Sequence, residues 1–227
     1  MMASTATGTL PGLRVHLGCG PVFATGWQNV DKSPNIYLSR VPVLRRALAR
    51  VGVLTSDHDA VSFAPGTIRA DLSRGLKYPD GSAAYVYHSH LIEHMPRWQG
   101  LALMKECHRI LRPGGVMRIA TPNLREIVEW YENDSFEYGE GPTPADRFMD
   151  VLGTYRDVPG TTPQRLIRRL VSGVPHQWLY DRDSLAALLD EAGFHEVETR
   201  GYREGDVPDL DQLEHRPESL FVEAYRR

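Results

Sequence analysis

A glycine loop held between two strand segments limits the folds open to this chain more than any other part of its sequence. Residues 13–18, LRVHLG, form a short apolar run that predicts a buried strand leading into Gly18-Cys19-Gly20. A second strand-like run, WQNVD, covers residues 27–31. Only six residues separate Gly20 from Trp27, so we expect no helix between the two strands.

Strand and helix patterns alternate along the rest of the chain. The further strand segments are 67–72, 83–89 and 116–123, and the helical segments are 37–54, 96–111, 124–132 and 182–194. This alternation predicts an α/β fold with a Rossmann-like, doubly wound, mainly parallel sheet that is covered by helices on both faces. Two strand segments close the chain, 195–201 and 219–226, and they predict an antiparallel edge strand.

Composition and charge exclude several classes of protein. The formal net charge of -3 gives no electrostatic footprint for binding nucleic acid. Two cysteines do not make a disulfide framework, and no apolar run reaches the roughly 20 residues of a membrane span. The first residues, MMASTATGTLPG, lack the charged and apolar regions of a signal peptide. We therefore expect a cytoplasmic protein.

The glycine loop has the features of a nucleoside site but lacks those of a dinucleotide site. The dinucleotide fingerprint G-x-G-x-x-G needs a third glycine at the mouth of a helix, and here that position is Phe23. Without a helix N-terminus there is little to hold a pyrophosphate, so an NAD-linked oxidoreductase is disfavoured. Gly18 and Gly20 still allow close approach of a ligand, and Asp31 is placed for a ribose diol. S-adenosylmethionine (SAM) is such a ligand, although a tight turn alone would also explain the glycines.

Five motifs in the same order along the chain resemble those of the class I SAM-dependent methyltransferases, type 11 branch. They are LGCGP…GWQNVD, YPDGSAAYVYHSHLIEHM, LRPGGVMRIATPNL, HQWLYDRDSLAALLDEAGF and RPESLFVEAYR. Within that branch the chain is similar to small bacterial methyltransferases of polysaccharide gene clusters, among them actinobacterial sugar O-methyltransferases. The resemblance implies the class I methyltransferase fold, SAM as cofactor and S-adenosylhomocysteine as product.

The resemblance also implies residues for the cofactor site. Gly18, Cys19 and Gly20 would lie against the methionine part of SAM, and Asp31 would bind the ribose hydroxyls. The adenine would contact Asp71 and Leu72. The sulfonium would lie near the segment His88-Ser89-His90, which follows the fourth strand.

A histidine-rich segment, HLIEH, allows a second interpretation. His90-x-x-Glu93-His94 matches H-x-x-E-H, a zinc peptidase signature. A peptidase needs this motif inside a well-supported helix, whereas Pro96 ends the first helical piece almost at once. The sequence offers no evident third ligand downstream, so the peptidase interpretation is disfavoured.

Methyl transfer to an alcohol needs help in removing a proton, and histidine supplies a suitable base at neutral pH. The candidates are the histidines near the end of the fourth strand and His176, of which we favour His90 or His176, with Tyr180 as a further candidate. A divalent metal such as Mg²⁺ is an alternative aid. Each histidine could equally be a structural residue of the core.

The acceptor is expected to be a small molecule or an oligosaccharide. Trp178 and Tyr180 lie beside His176 in sequence, and aromatic side chains near a histidine suit a sugar hydroxyl, as in a mannose-containing polysaccharide precursor. O- or N-methylation of a natural product or lipid is the alternative, and a catalytically idle SAM-binding partner subunit is a third. We expect one domain over residues 1–227, with residues 1–11 disordered and with 37–64 and 133–176 as inserted lid or acceptor-side segments. A homodimer is a further expectation.

Overall fold

The computed structural model describes most of the chain. The described residues are 12–33, 35–41, 43, 46, 50, 63–154 and 174–227. The predicted disorder of residues 1–11, most of the predicted helix 37–54 and much of the inserted segment 133–176 fall outside these residues. Within them, no helix has both the length and the apolar character needed to cross a membrane.

A mixed sheet of seven strands forms the centre of the described structure. The strands are β1 (Leu13–Leu17), β2 (Gln28–Asp31), β3 (Ile68–Arg69), β4 (Ala83–Ser89), β5 (Leu111–Thr121), β6 (His195–Arg200) and β7 (Leu220–Tyr225). Their order across the sheet is β3-β2-β1-β4-β5-β7-β6. The first five strands pair in parallel, and β7 pairs antiparallel with both β5 and β6. The predicted class I methyltransferase fold, a mainly parallel sheet closed by an antiparallel pair, is confirmed.

The helices alternate with these strands in sequence. Those described are α1 (Asn35–Ser39), α2 (Arg97–Ile110), α3 (Leu124–Asn133), α4 (Pro144–Leu152), α5 (Arg182–Glu191) and α6 (Leu210–Leu213). Two short 3₁₀ turns, Leu72–Arg74 and Ile92–His94, follow β3 and β4. Pro96 is the N-cap residue of α2, so this proline separates the second 3₁₀ turn from the long helix, as the sequence predicts.

Different elements cover the two faces of the sheet. On one face, α2 and α5 pack their apolar sides onto the strands; this core includes Val86, Met104, Ile119 and Leu188. On the other face, the residues that cover Tyr85, Tyr87 and Val116 come from the loop before β2 and from the segment around α6. Helices α3 and α4 form a smaller separate core around Trp130.

The third strand is shorter than predicted. Only Ile68–Arg69 pairs with β2, whereas the sequence predicts a strand over 67–72. Asp71 leaves the sheet because its carboxylate caps the 3₁₀ turn that follows. The fifth strand is longer than predicted and begins at Leu111, so the RPGG segment lies within the strand span rather than before it.

Candidate functional site

The carboxyl ends of β1, β2, β3 and β4 meet at one edge of the sheet, and the predicted cofactor residues follow them. The chain leaves β1 toward β2 on one side, while β4 lies on the other side of β1, so the strand order reverses at this point. Ligands of open α/β sheets bind at the carboxyl ends of the strands beside such a reversal. Gly18 and Asp31 therefore lie where a ligand is expected.

The glycine loop passes from β1 to β2 without a helix, as predicted. Gly18 and Gly20 both have positive φ angles, +60° and +53°, which favour glycine. A Cβ atom on Gly18 would come within 2.8 Å of Leu91 Cδ1, so the turn after β4 packs directly over this glycine. A Cβ atom on Gly20 would meet no described atom within 4 Å. Space for a ligand therefore lies beside Gly20.

Asp31 ends β2, and two backbone N–H groups fix its carboxylate. The Gly20 N–H donates to Oδ2 over 2.9 Å, and the Ser33 N–H donates to Oδ1 over 2.7 Å. Each carboxylate oxygen can accept a further hydrogen bond. The group is thus held in place and still able to accept from the two hydroxyls of a ribose.

Cys19 lies between the two glycines and is tied to the sheet. Its N–H donates to the Val30 carbonyl over 3.1 Å, and its thiol is buried. Burial, with a contribution from the nearby Asp31 charge, raises the pKa of this thiol to about 12. The neutral thiol is therefore a packing group and a poor nucleophile.

Asp71 and Leu72 have different surroundings. The Asp71 carboxylate is exposed and accepts hydrogen bonds from the Ser73 N–H and hydroxyl. Those bonds from Ser73, more than its contact with Arg74, lower its pKa. Leu72 is buried in the main core. Asp71 thus caps a turn beside the site, and its contact with an adenine stays a prediction.

His88 and Ser89 end β4, but only Ser89 reaches the edge of the sheet. His88 is completely buried, and neither of its ring nitrogens has a hydrogen-bond partner among the described residues. Burial lowers its pKa to about 4, so the ring is neutral at pH 7. His88 is thus a buried, neutral side chain at the end of β4, and its predicted place in the pocket near the sulfonium stays a prediction.

His90 begins the turn after β4 with a positive φ of +48°, an unusual conformation for a residue with a side chain. Its Nδ1 accepts a hydrogen bond from Arg216 over 3.0 Å, and its Nε2 lies 2.8 Å from the Ser219 hydroxyl. The same Nδ1 also lies 3.3 Å from Glu93 Oε1, so neighbouring side chains engage both ring nitrogens of His90.

Glu93, His94 and His176 come together on the far side of the same turn. One possible ligand atom from each lies within 4.8 Å of the others. The Glu93 and Gln177 backbones are joined by a 2.7 Å hydrogen bond, and the rings of His94 and His176 are 4.8 Å apart. His176 Nδ1 donates to the Leu152 carbonyl over 2.7 Å, which makes Nε2 the basic nitrogen of this ring.

Glu93 is a charged group in a completely buried position. Burial by itself would raise its pKa, but the contact with His90 and the nearby His94 outweigh this, so its pKa is lowered and it is ionised. Its Oε1 lies 3.3 Å from His90 Nδ1, at ion-pair distance, and has no hydrogen-bond partner among the described residues. Burial also lowers the pKa of His94.

The two aromatic residues near His176 differ in exposure. Tyr180 is fully buried, and a Cβ atom on Gly100 of α2 would lie 3.1 Å from its hydroxyl. Tyr180 therefore belongs to the main core, and its catalytic role stays a prediction. Trp178 is 45% exposed and shares a surface pocket with Trp98 of α2, which is 71% exposed.

The H-x-x-E-H pattern does not form the peptidase arrangement. Glu93 and His94 lie on a short 3₁₀ turn and His90 precedes it, so the two histidines do not share one face of an α-helix, and they contact different partners. Arg216 and Ser219, the partners of His90, were not among the predicted site residues, although both lie in the RPES segment. Nothing in the local sequence pattern signals that Glu93 is buried.

Comparison with known proteins identifies the family. A family model described as a methyltransferase domain matches residues 21–199, which is most of the chain. A protein of Mycolicibacterium smegmatis (strain ATCC 700084 / mc(2)155), described as a probable SAM-dependent methyltransferase, is 41% identical over 59 residues. These residues make up 24% of this chain and 22% of that relative's length, so the similarity spans about a fifth of the relative.

Two solved structures illustrate the structural similarity. A SAM-dependent methyltransferase from Mesorhizobium loti is 21% identical, with 96% of this chain and 94% of that chain covered and a TM-score of 0.48. A SAM-dependent methyltransferase from Methanosarcina mazei is 14% identical, with 95% and 92% covered and a TM-score of 0.49.

Proposed function

The chain belongs to the class I SAM-dependent methyltransferases, and we propose that it transfers the methyl group of SAM to a hydroxyl of a sugar or oligosaccharide in the cytoplasm. One observation carries the cofactor part of this proposal. The Asp31 carboxylate is held by the Gly20 N–H at a loop with open space beside Gly20. This arrangement lets a ribose lie close to the backbone at Gly20 while its hydroxyls donate to Asp31.

The acceptor is proposed from the surface next to the histidine cluster. The Trp178 backbone N–H donates to the Glu93 carbonyl over 3.2 Å, so the backbone that carries the exposed indole is held beside the turn that follows β4. Trp98 lines the same pocket. Two exposed indoles offer flat apolar surfaces against which a sugar ring can stack, and Arg97, Gln177 and Glu191 add polar groups to the same pocket. This combination supports a sugar as the acceptor.

Methyl transfer is an in-line displacement in which the acceptor oxygen forms a bond to the methyl carbon as the carbon–sulfur bond breaks. The electron pair of that bond stays on sulfur, giving S-adenosylhomocysteine, and the hydroxyl proton must leave. His176 is favoured over His90 to receive it, because Leu152 fixes the His176 tautomer that leaves Nε2 basic. His90 is instead assigned to positioning Ser219 and Arg216. Alignment within a dry site supplies the rest of the rate enhancement.

Calorimetry followed by product analysis tests the proposal. We expect SAM and S-adenosylhomocysteine to bind and NAD not to bind. Mannose-containing oligosaccharides should then gain one methyl group in the presence of SAM, as measured by mass spectrometry. His176→Gln should reduce turnover by about 10²- to 10⁴-fold while SAM affinity is kept. The exposed His195 gives the matched control, His195→Gln, which should change neither.

Three results would contradict parts of the proposal. Absence of SAM binding would remove the cofactor assignment. If only lipid or natural-product acceptors are methylated, the proposed sugar acceptor is wrong. If His176→Gln keeps full activity, His176 is not the proton acceptor, and His90 remains as the candidate for that role.

A further inference from the structure

The geometry points to a binding site for one divalent transition-metal ion, of the zinc class, formed by Glu93, His94 and His176. These residues come from two separate parts of the chain, the turn after β4 and the segment before α5. Possible ligand atoms of the three lie within 4.8 Å of one another. A role of the ion in deprotonating the acceptor rests on the proposed function, whereas binding of the ion does not.

The donor set selects the class of ion. Two imidazoles and one carboxylate form the ligand set of many catalytic zinc sites, in which three protein ligands leave a further position open. Imidazole donors favour zinc, copper, nickel and iron, whereas Mg²⁺ prefers oxygen donors. This site is therefore matched to zinc-class ions and not to the Mg²⁺ suggested by the sequence analysis.

A backbone carbonyl orients the imidazole of His176 in the manner of a metal ligand. A ligating histidine usually donates its other ring N–H to a carbonyl or carboxylate, which fixes the ring and its tautomer. His176 does so through Nδ1 to the Leu152 carbonyl over 2.7 Å. The backbone of Val174 and Pro175 lies beside the ring of His94, whose Nδ1 is buried and has no hydrogen-bond partner among the described residues. We take His94 Nδ1 and His176 Nε2 as the ligand atoms of the proposed site.

Two polar atoms of the cluster have unmet bonding capacity. Glu93 Oε1 and His94 Nδ1 are buried and have no hydrogen-bond partner among the described residues. Glu93 is completely buried, so the cost of keeping its carboxylate without a full set of partners is large. A bound cation would satisfy both atoms and neutralise the carboxylate charge. This is the second observation, besides proximity, that favours an ion here.

Binding would draw the three side chains slightly together. Ligand atoms around a tetrahedral zinc ion with bonds of about 2.1 Å are about 3.4 Å apart. In this cluster the possible ligand atoms lie within 4.8 Å of one another, so they would have to move closer. His94 and His176 are only half-buried, so a remaining coordination position can be reached from outside. An acceptor hydroxyl bound there would lose its proton more easily, and that proton would pass to solvent water. In the ion-loaded protein His176 Nε2 would be a ligand, so the proton-acceptor role proposed above for His176 applies only to the ion-free protein.

Metal titration of the tag-free protein tests the site without any measurement of activity. Protein treated with a chelator and then freed of it is titrated with Zn²⁺ by calorimetry. It is also titrated with Co²⁺ by visible absorption, because tetrahedral Co²⁺ has a distinct spectrum. We expect one ion per chain. His176→Asn and Glu93→Gln should each weaken binding by at least about tenfold, whereas the exposed control His215→Asn should leave it unchanged.

The outcomes separate this inference from the proposed function. If the unaltered protein binds no stoichiometric Zn²⁺, or if His176→Asn and Glu93→Gln bind it as tightly as His215→Asn does, the metal site is wrong. Should Glu93→Gln fail to fold, His176→Asn decides alone, because His176 is half-buried. SAM titration of the same samples reports the cofactor site. SAM binding without metal binding overturns only the metal site, and metal binding without SAM binding overturns only the proposed function.

Discussion

At the scale of single residues, three glycines with positive φ show how one residue type serves different needs. Gly18 is required by packing, because Leu91 occupies the space of a Cβ atom. Gly20 and Gly26 have φ angles of +53° and +82°, and a Cβ atom on either would meet no described atom within 4 Å. Gly20 lies at the candidate cofactor site, whereas Gly26 lies at the opposite end of β2. The two glycines therefore form a matched pair.

Gly20→Ala and Gly26→Ala should have the same effect on stability and different effects on SAM binding. Each places an L side chain in a left-handed conformation at a cost of about 1 kcal/mol in the free energy of unfolding. Only the Gly20 variant directs a methyl group into the proposed ligand space, so we expect its SAM affinity to fall by about tenfold or more. Urea unfolding and calorimetry measure the two quantities. Equal SAM affinities would show that the ligand does not approach Gly20.

At the scale of elements, a buried charge network joins β5 and β7 to the segment before β7. Arg118 of β5 is completely buried and pairs with Glu214 at 2.5 Å and with Glu223 at 3.2 Å. It also donates to the carbonyls of Glu204 over 2.7 Å and Gly201 over 2.9 Å. One guanidinium thus holds the antiparallel strand pair and the segment 201–214 against the parallel part of the sheet.

Arg118→Met should destabilise the protein strongly, since it removes the cationic partner of the buried Glu214 and one of the two arginines that pair with the buried Glu223. Breaking a buried pair from one side costs about 3–5 kcal/mol. Arg182 forms an exposed pair with Asp183, so Arg182→Met should cost less than about 1 kcal/mol. Denaturant unfolding followed by circular dichroism compares the two. A loss for Arg118→Met no larger than that for Arg182→Met would mean that the network does not stabilise the fold.

At the scale of the whole molecule, buried histidines connect stability to pH. His16 and His88 lie on β1 and β4, and burial lowers the pKa of each to about 4. The ordinary value in an unfolded chain is about 6.5. Between these values the unfolded chain binds protons that the folded protein does not, so stability is lost as the pH falls from about 6.5 toward 4. Burial shifts the pKa of His94 and His108 in the same direction.

We expect the free energy of unfolding to fall with decreasing pH in this window and to do so less steeply in His88→Leu. Each fully buried neutral histidine contributes up to about 1.4 kcal/mol per pH unit to the slope. Since His88 has no hydrogen-bond partner among the described residues, leucine should be tolerated there. Urea unfolding at several pH values measures the slope, with His215→Gln as the exposed control. An unchanged slope in His88→Leu would show that His88 is not neutral in the folded protein.

Much of the fold could be predicted because short sequence patterns specify its strands, helices and loops. The strand over 83–89 has the predicted bounds, and the absence of a helix between Gly20 and Trp27 is confirmed. The predicted strand over 67–72 was mostly wrong, because Asp71 caps a turn that its sequence pattern does not distinguish from a strand end. Periodicity also cannot tell that a polar residue such as His88 points inward, since the fourth strand is buried on both faces.

The sequence by itself determined the alternation of strands and helices, the helix-free glycine loop and the acid at the end of β2, because each depends on neighbours within a few residues. Only the tertiary structure decided that His90 is held by Arg216 and Ser219, that Tyr180 belongs to the core, and that Glu93 and His94 meet His176. These contacts join residues that lie about 80 or more positions apart or depend on how helices cover the sheet. Such partners are set by the packing of the whole chain, and no local pattern records them.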